Sequence, residues 1–462
     1  MNPNRRFRRN ERLYGEWLMK LIMRVILIVV AAGCAAFAAN TDAINYDESK
    51  VPAYTLPDAL TTLNGQRVTD ADAWVKIRRP EILELFRTHV YGRSPGKPDS
   101  MTFKVIHEDN SVYNGRATRR SVSVCFTSRA DGPCMLMHIF IPNKARKPVP
   151  VFVGVLIIKD FGKTQGWPMP GYILSELEDG ISKYLKTNSA SERAAKPTGK
   201  LPGKMLPVAI LERGYAFASI DPDSIAPDDP ETYDSKVIRE SSNPDRSKRP
   251  PDDWRTISAW SWGLSRALDY FVTDPDIDKT KVIAIGHSRR GKTALWAAAQ
   301  DERFAMAISN NSGCAGAALS KRIFGETAQL INKQFPHWFC ENFRKYDNNE
   351  AALPLDQHML LALIAPRPLY VASAVMDQWA DPRGEFLSAL NAGPVYALFG
   401  LNGLGVSEMP AVNMPVGDMI GYHIRSKGHA LTDYDWLRYL DFADRHFKKT
   451  ATPPKQISPS YK

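Results

Sequence analysis

The hydrophobic positions of this chain change their rhythm part-way along. Between residues 101 and 155, four β-rich runs are divided by turn residues, which predicts strands over 102–106, 119–126, 135–141 and 149–155. From residue 215 onward, strand-like runs alternate with helical patterns. Strands are expected over 215–220, 282–285, 304–309, 368–374 and 422–424, and helices over 254–271, 291–300, 383–390 and 436–447. In the first of these helices Trp254, Ile257, Leu264, Leu268 and Phe271 recur at near-helical spacing. A further helix over 79–91 closes the lead-in that occupies residues 40–100. Antiparallel hairpins followed by β–α alternation predict an α/β fold: one mixed, mostly parallel sheet with antiparallel N-terminal strands and helices on both faces. Two stretches, 182–204 and 222–253, are rich in Pro, Lys, Asp and Ser and read as long surface loops within a single domain spanning 39–449. The polar tail 450–462 reads as disordered.

Ahead of that domain, residues 1–38 read as a signal peptide. Arg5, Arg6, Arg8 and Arg9 open it, Lys20 and Arg24 follow, and an apolar run covers 25–39. The run is short for a membrane span, which takes about 20 residues, and it ends on Ala36-Phe37-Ala38, a small-residue cleavage pattern. Ala32-Gly33-Cys34 alternatively reads as a lipobox, which would make Cys34 a lipid anchor. The protein is therefore expected to be exported, as a periplasmic or secreted protein or as an outer-membrane lipoprotein. Export permits disulfides. Cys125 and Cys134 flank a hairpin-like turn and form one candidate pair, Cys314 and Cys340 the other. Four buried free thiols are the alternative.

The composition, 44% hydrophobic and 24% charged over 462 residues, is that of a globular protein and excludes a disordered chain or a disulfide miniprotein. A formal net charge of +10 favours approach to an acidic polymer, but no dense basic stripe with interleaved aromatics points to nucleic acid. No sequence feature points to an oligomer, and the chain is read as a monomer.

The most informative stretch joins the apolar run 282–285 to the helix that follows it. Gly286-His287-Ser288-Arg289-Arg290-Gly291 has the form of a nucleophile elbow, in which glycines permit a tight strand-to-helix turn that lifts a serine clear of the sheet. The second glycine stands one residue later than in G-x-S-x-G. The helix begins just after Ser288, so its free N–H groups face developing negative charge. A serine needs a base, and the base needs an orienting carboxylate, in the chain order Ser, acid, His. Of the histidines after Ser288 (His337, His358, His423, His429 and His446), His429 lies in a small-residue loop between the last strand and the last helix, where the base belongs. His423 lies within the strand and is expected to pack or bond locally, and His446 within the last helix is expected to be solvated. For the acid, Asp377 and Asp381 both follow the strand 368–374. Asp381 precedes Pro382 and reads as an N-cap, while Asp377 is closer to the strand end. Phosphate binding at the elbow is disfavoured, because the spacing lacks G-x-x-x-x-G-K-[ST].

Gly286–Lys292, Trp296–Phe304, Ser309–Leu319, Phe335–Phe339 and Asp377–Pro382 together closely resemble the bacterial glucuronoyl esterases, carbohydrate esterase family 15, and the resemblance covers most of the chain from about residue 50. It implies an α/β-hydrolase three-layer sandwich and a serine esterase without metal or cofactor. The family cleaves the ester between 4-O-methyl-glucuronic acid on xylan and an alcohol of lignin. It implies Ser288 as nucleophile, His429 as base, Arg289 as an oxyanion-holding arginine, Lys292 and Glu326 as sugar-binding residues and Trp379 as a lining of the sugar site. The chain departs from the pattern at Asn311, where many relatives carry Glu. The resemblance therefore puts the acid at Asp377, with Asp381 the weaker candidate. The rival readings are an acetyl-xylan or other sugar esterase of the same fold, which would not need Lys292 and Glu326, and a carbohydrate-binding relative that has lost catalysis.

Overall fold

The computed structural model describes residues 44–155 and 206–448. The signal-peptide reading, Cys34, the loop 182–204 and the tail 450–462 lie outside them. The chain divides into two compact units, Met1–Val51 and Pro52–Lys462. Of the first, the described part carries a single turn of 3-10 helix, Glu48–Lys50, started by an Asp47 side chain that accepts from the Ser49 N–H.

The second unit is built on one ten-stranded sheet. Its strands are β1 (Thr102–Ser111), β2 (Ala117–Cys125), β3 (Cys134–Pro142), β4 (Val149–Val155), β5 (Ala216–Ile220), β6 (Ile277–His287), β7 (Met306–Asn310), β8 (Leu369–Ala374), β9 (Val416–Gly417) and β10 (Ile420–Arg425). They lie in the order β1-β2-β3-β5-β4-β6-β7-β8-β10-β9. The joints β1–β2, β2–β3 and β3–β5 are antiparallel, the five from β5–β4 through to β8–β10 are parallel, and β9 adds an antiparallel edge. This is the expected mixed sheet, and it has the form of an α/β-hydrolase.

The parallel strands are apolar on both faces, and their side chains sort by parity. Val151, Val153, Val282, Ala284, Ala307, Leu369 and Val371 enter the larger core, with the helices Thr256–Phe271, Arg289–Gln300, Gln357–Ala362 and Pro382–Ala397. Phe152, Ile283, Ile285, Met306, Ile308, Tyr370 and Ala372 enter the second core, with Ile210 and Leu211 from one helix and Trp436, Tyr439 and Leu440 from the helix Asp433–Phe447. That last helix starts on a capping box in which Thr432 and Asp435 satisfy each other's backbone N–H groups.

Three expectations need correction. The stretch 222–253 is not a surface loop throughout: Ile225, Ala226, Tyr233, Val237 and Ile238 are buried in the larger core, because apolar residues spaced between its Pro and Asp residues pack inward. Cys125 and Cys134 are disulfide-bonded across the base of the β2–β3 hairpin, where they face each other in register, but Cys314 and Cys340 are separate buried thiols. The Cys340 thiol donates instead to the Thr88 carbonyl. His446 is half-buried rather than solvated, and its ring meets the Asp418 carbonyl. The strand carrying the elbow and the helix Pro382–Ala397 both run longer than their apolar cores suggested, since polar ends such as Asp278-Lys279-Thr280 carry no apolar rhythm.

Candidate active site

Strand β6 leads straight into Ser288, which opens the helix Arg289–Gln300 with φ 58° and ψ −132°, a conformation costly for a residue with a side chain. The two glycines make this turn physically available. A Cβ on Gly286 would come within 1.9 Å of the Arg290 carbonyl oxygen, and one on Gly291 within 2.9 Å of the Ser312 Cβ. The late second glycine is thus the one the packing requires. The Ser288 N–H donates to the Asn310 carbonyl at the end of β7, which ties the elbow to the neighbouring strand.

Asp377 sits in the turn after β8 and His429 in the loop after β10, so two adjacent parallel strands deliver them to the same sheet edge. The Asp377 Oδ2 and the His429 Nδ1 are 2.7 Å apart. That contact fixes the ring and directs its Nε2 away from the acid. The ring of His287, next to Ser288 in the chain, packs 4.5 Å from the ring of His429. Burial and the neighbouring His429 push His287 down to about 4. His287 is therefore neutral at neutral pH.

Asn311, at the departure from the family pattern, is buried and donates from Nδ2 to the same Asp377 Oδ2 at 2.6 Å. It carries no charge of its own and braces the Asp377 carboxylate. Glu385 steadies the loop below. Its Oε1 accepts the Ser312 and Gly313 N–H groups and its Oε2 accepts the Ser373 hydroxyl, while burial pushes it up to about 8.

The other histidines and Asp381 have other partners. His423 pairs with Asp435 at 2.9 Å but is completely buried, whereas the His429 side chain is 42% exposed, and only the latter is open to a substrate. His358 bonds the Pro57 carbonyl. Asp381 caps the helix Pro382–Ala397 through the Gly384 N–H and pairs with the buried Arg322, as its N-cap reading required.

Lys292 and Glu326 are both buried, with Nζ and Oε2 3.6 Å apart. Burial pushes the Glu326 carboxyl up, opposed by Lys292 and by a bond from Trp379. The approach of the Glu326 segment to Trp379 depends on Gly325. At φ 63°, a Cβ there would lie 2.5 Å from the Gln378 carbonyl oxygen. The Lys292 ammonium also donates to the Ser312 carbonyl, next to Asn311. Lys292, Glu326 and Trp379 thus form one cluster that reaches the loop bonded to Asp377.

Arg289 makes an ion pair with Asp228, and its guanidinium lies over Trp338, 4.6 Å from the ring centroid. Asp228 also accepts from Trp338 Nε1 at 2.7 Å and meets His337 Nε2 at 3.0 Å. Burial raises its carboxyl, but the bonds from His337, Trp338 and Arg289 outweigh this and hold it at about 2. Its contribution is therefore complete above the ordinary carboxylate range and is lost only as the pH falls toward 2. Sequence reasoning missed Asp228. Its partners lie 61, 109 and 110 residues away, and a lone Asp in a Pro- and Asp-rich stretch carries no local signal.

Residues 252–400 match the family model described as glucuronyl esterase of fungi. The carbohydrate esterase MZ0003 of an unknown prokaryotic organism is 42% identical over 409 residues, covering 87% of this chain and 92% of that protein. A 4-O-methyl-glucuronoyl methylesterase of Hypocrea jecorina (strain QM6a) is 26% identical over 72% of this chain and 59% of its own length. Among solved structures, a glucuronoyl esterase from Solibacter usitatus superposes with a TM-score of 0.75 at 41% identity, over 86% of this chain and 99% of that one. A CE15 esterase described as promiscuous, from a marine bacterial metagenome, gives 0.73 at 40% identity, over 87% and 100%.

Proposed function

The chain belongs to carbohydrate esterase family 15, the glucuronoyl esterases, and from that membership we propose that it hydrolyses the ester joining 4-O-methyl-glucuronic acid of glucuronoxylan to an alcohol of lignin. The observation that carries the substrate assignment is the buried Lys292–Glu326 pair beside Trp379, set against the loop whose Asn311 bonds Asp377. The rival acetyl-ester reading gives this buried charged pair no role on the acyl side, because an acetyl group carries no hydroxyls.

In the mechanism, His429 takes the proton of Ser288 as its Oγ attacks the C6 carbonyl, and Asp377 stabilises the imidazolium that forms. Arg289 and the N–H groups at the start of its helix hold the oxyanion. His429 then gives its proton to the departing alcohol. Water repeats the sequence on the glucuronoyl-serine and releases glucuronate. On this reading Asp228 aims Arg289. Asp228→Asn should lower kcat about tenfold with KM little changed, a smaller loss than the roughly hundredfold expected for removing an oxyanion donor outright. Steady-state kinetics on one ester separates the two parameters. Glu326→Gln should instead act on substrate binding, raising KM for a glucuronate ester roughly tenfold with kcat less affected.

Residues 1–38 act as an export signal on this reading, and the esterase meets its polymer substrate outside the cytoplasm. The test of the substrate class is hydrolysis of benzyl glucuronate beside an acetylated xylose. The reading requires the uronate ester to be preferred, and preference for the acetyl ester would transfer the site to the other class of sugar esterase.

A further inference from the structure

His429 sits on an exposed loop between β10 and the last helix, yet a misplacement of about 1 Å would cost the base most of its rate. On one side the loop is fastened to the segment that carries the acid. The Val375 N–H donates to the Arg425 carbonyl and the Met376 N–H to the Lys427 carbonyl, both at 2.9 Å, so β8 and β10 stay paired just beyond their ends. Lys427 then turns in the left-handed region, at φ 73°, and Gly428 and His429 follow.

From inside, the loop is held by a buried side chain. Arg425, the last residue of β10, donates from Nη1 to the Ser426 carbonyl at 2.9 Å. Its Nη2 donates to the Gly428 carbonyl at 3.0 Å and to the Ala430 carbonyl. Gly428 and Ala430 stand on either side of His429, so one nitrogen grips the backbone ahead of the base and behind it. The Nε edge of the same guanidinium donates to both oxygens of Asp435, at 3.1 and 3.0 Å. Asp435 is itself buried in the helix Asp433–Phe447, where it also meets His423 Nε2 and accepts the Thr432 N–H and hydroxyl. Burial raises its carboxyl, but His423, Arg425 and Thr432 outweigh this and hold it below the usual carboxylate range. The same helix fastens the nucleophile's side. The Asn310 carbonyl accepts the Ser288 N–H, and the Asn310 Nδ2 donates to the Tyr439 hydroxyl at 2.7 Å.

We propose that Arg425 is a positioning residue for the reaction: its guanidinium, oriented by Asp435, sets the loop so that His429 keeps its bond to Asp377 and presents Nε2 to Ser288. A planar fork suits this task, because its donors diverge in one plane and reach three carbonyls and a carboxylate together. A lysine would keep the charge but carry its donors on one atom at the end of a flexible stem, and could not span the same set. Arg425 acts through the loop alone, since its own donors are spent on Asp435 and the loop carbonyls. This inference rests on the reading of His429 as the base.

The test compares Arg425→Lys and Arg425→Gln with the wild type on benzyl glucuronate, each below its own melting temperature. Arg425→Lys keeps a positive charge against the buried Asp435 and is expected to fold, so it decides the question even where Arg425→Gln does not fold. In Arg425→Lys, kcat is expected to fall roughly fiftyfold with KM changed by less than about twofold, because the residues that bind the sugar are untouched. The second readout is the proton between His429 and Asp377, a nuclear magnetic resonance signal far downfield of the amide protons, identified by its loss in His429→Gln. It is expected to weaken or vanish in Arg425→Lys, a change that a merely structural role would not produce. A lysine variant that melts earlier but keeps the wild-type kcat and the downfield signal would overturn the inference while leaving the esterase reading intact. A His429→Gln variant as active as the wild type would overturn the reading of the base, and this inference with it.

Discussion

Ser288→Ala is expected to lower kcat for a glucuronate ester roughly a millionfold, the loss seen when a serine nucleophile is removed from a working triad. The elbow leaves little room for substitution by any other group. Its backbone is held in a strained conformation by the β6–helix junction and by the bond from the Ser288 N–H to the Asn310 carbonyl. Neither Arg289 nor Arg290 is a nucleophile. Alanine removes only Oγ, and the turn and its packing glycines remain. Binding should survive, so a glucuronate ester should still protect the variant against thermal unfolding while product formation falls to the background rate. Retention of more than about one per cent of the activity would mean that another group attacks.

The second large effect is at Asp377. Asp377→Asn should cost roughly four orders of magnitude in kcat, because an amide can no longer stabilise the imidazolium and favours the wrong ring tautomer. The size of this loss decides between two roles for Asn311. If Asn311 only braces the acid, as its bond to the Asp377 Oδ2 indicates, it cannot compensate once the charge is gone. Asp381 cannot compensate either, since its carboxylate is committed to Arg322 and to the Gly384 N–H. Steady-state rates for Asp377→Asn and Asn311→Ala measure this directly, with the Asn311 effect expected to be far the smaller, about tenfold.

The parts of this architecture that repeat were legible in the sequence. Strands β4 to β8 announce themselves because a parallel strand buried on both faces is a short, nearly unbroken apolar run. The place of Ser288 at a strand-to-helix elbow was legible because such a turn demands glycines at fixed offsets, and the place of His429 because it lies in the loop between the last strand and the last helix. What escaped notice depends on long-range contact. Asp228 matters only because the fold brings Arg289, His337 and Trp338 around it, and the 2.6 Å bond from the Asn311 amide to Asp377 joins positions 66 residues apart. The failed pairing of Cys314 with Cys340 has the same origin, since two cysteines spaced like a pair say nothing about what packs between them.

The central claim is that Ser288 carries the glucuronoyl group during turnover. Rapid mixing of excess wild-type protein with benzyl glucuronate, followed by acid quench, proteolysis and mass spectrometry, tests it most directly. The account predicts a glucuronoyl ester on the peptide containing Ser288, formed together with one equivalent of benzyl alcohol and decaying as glucuronate appears. A glucuronoyl adduct on any other residue, with Ser288 unmodified while benzyl alcohol is released, would contradict it.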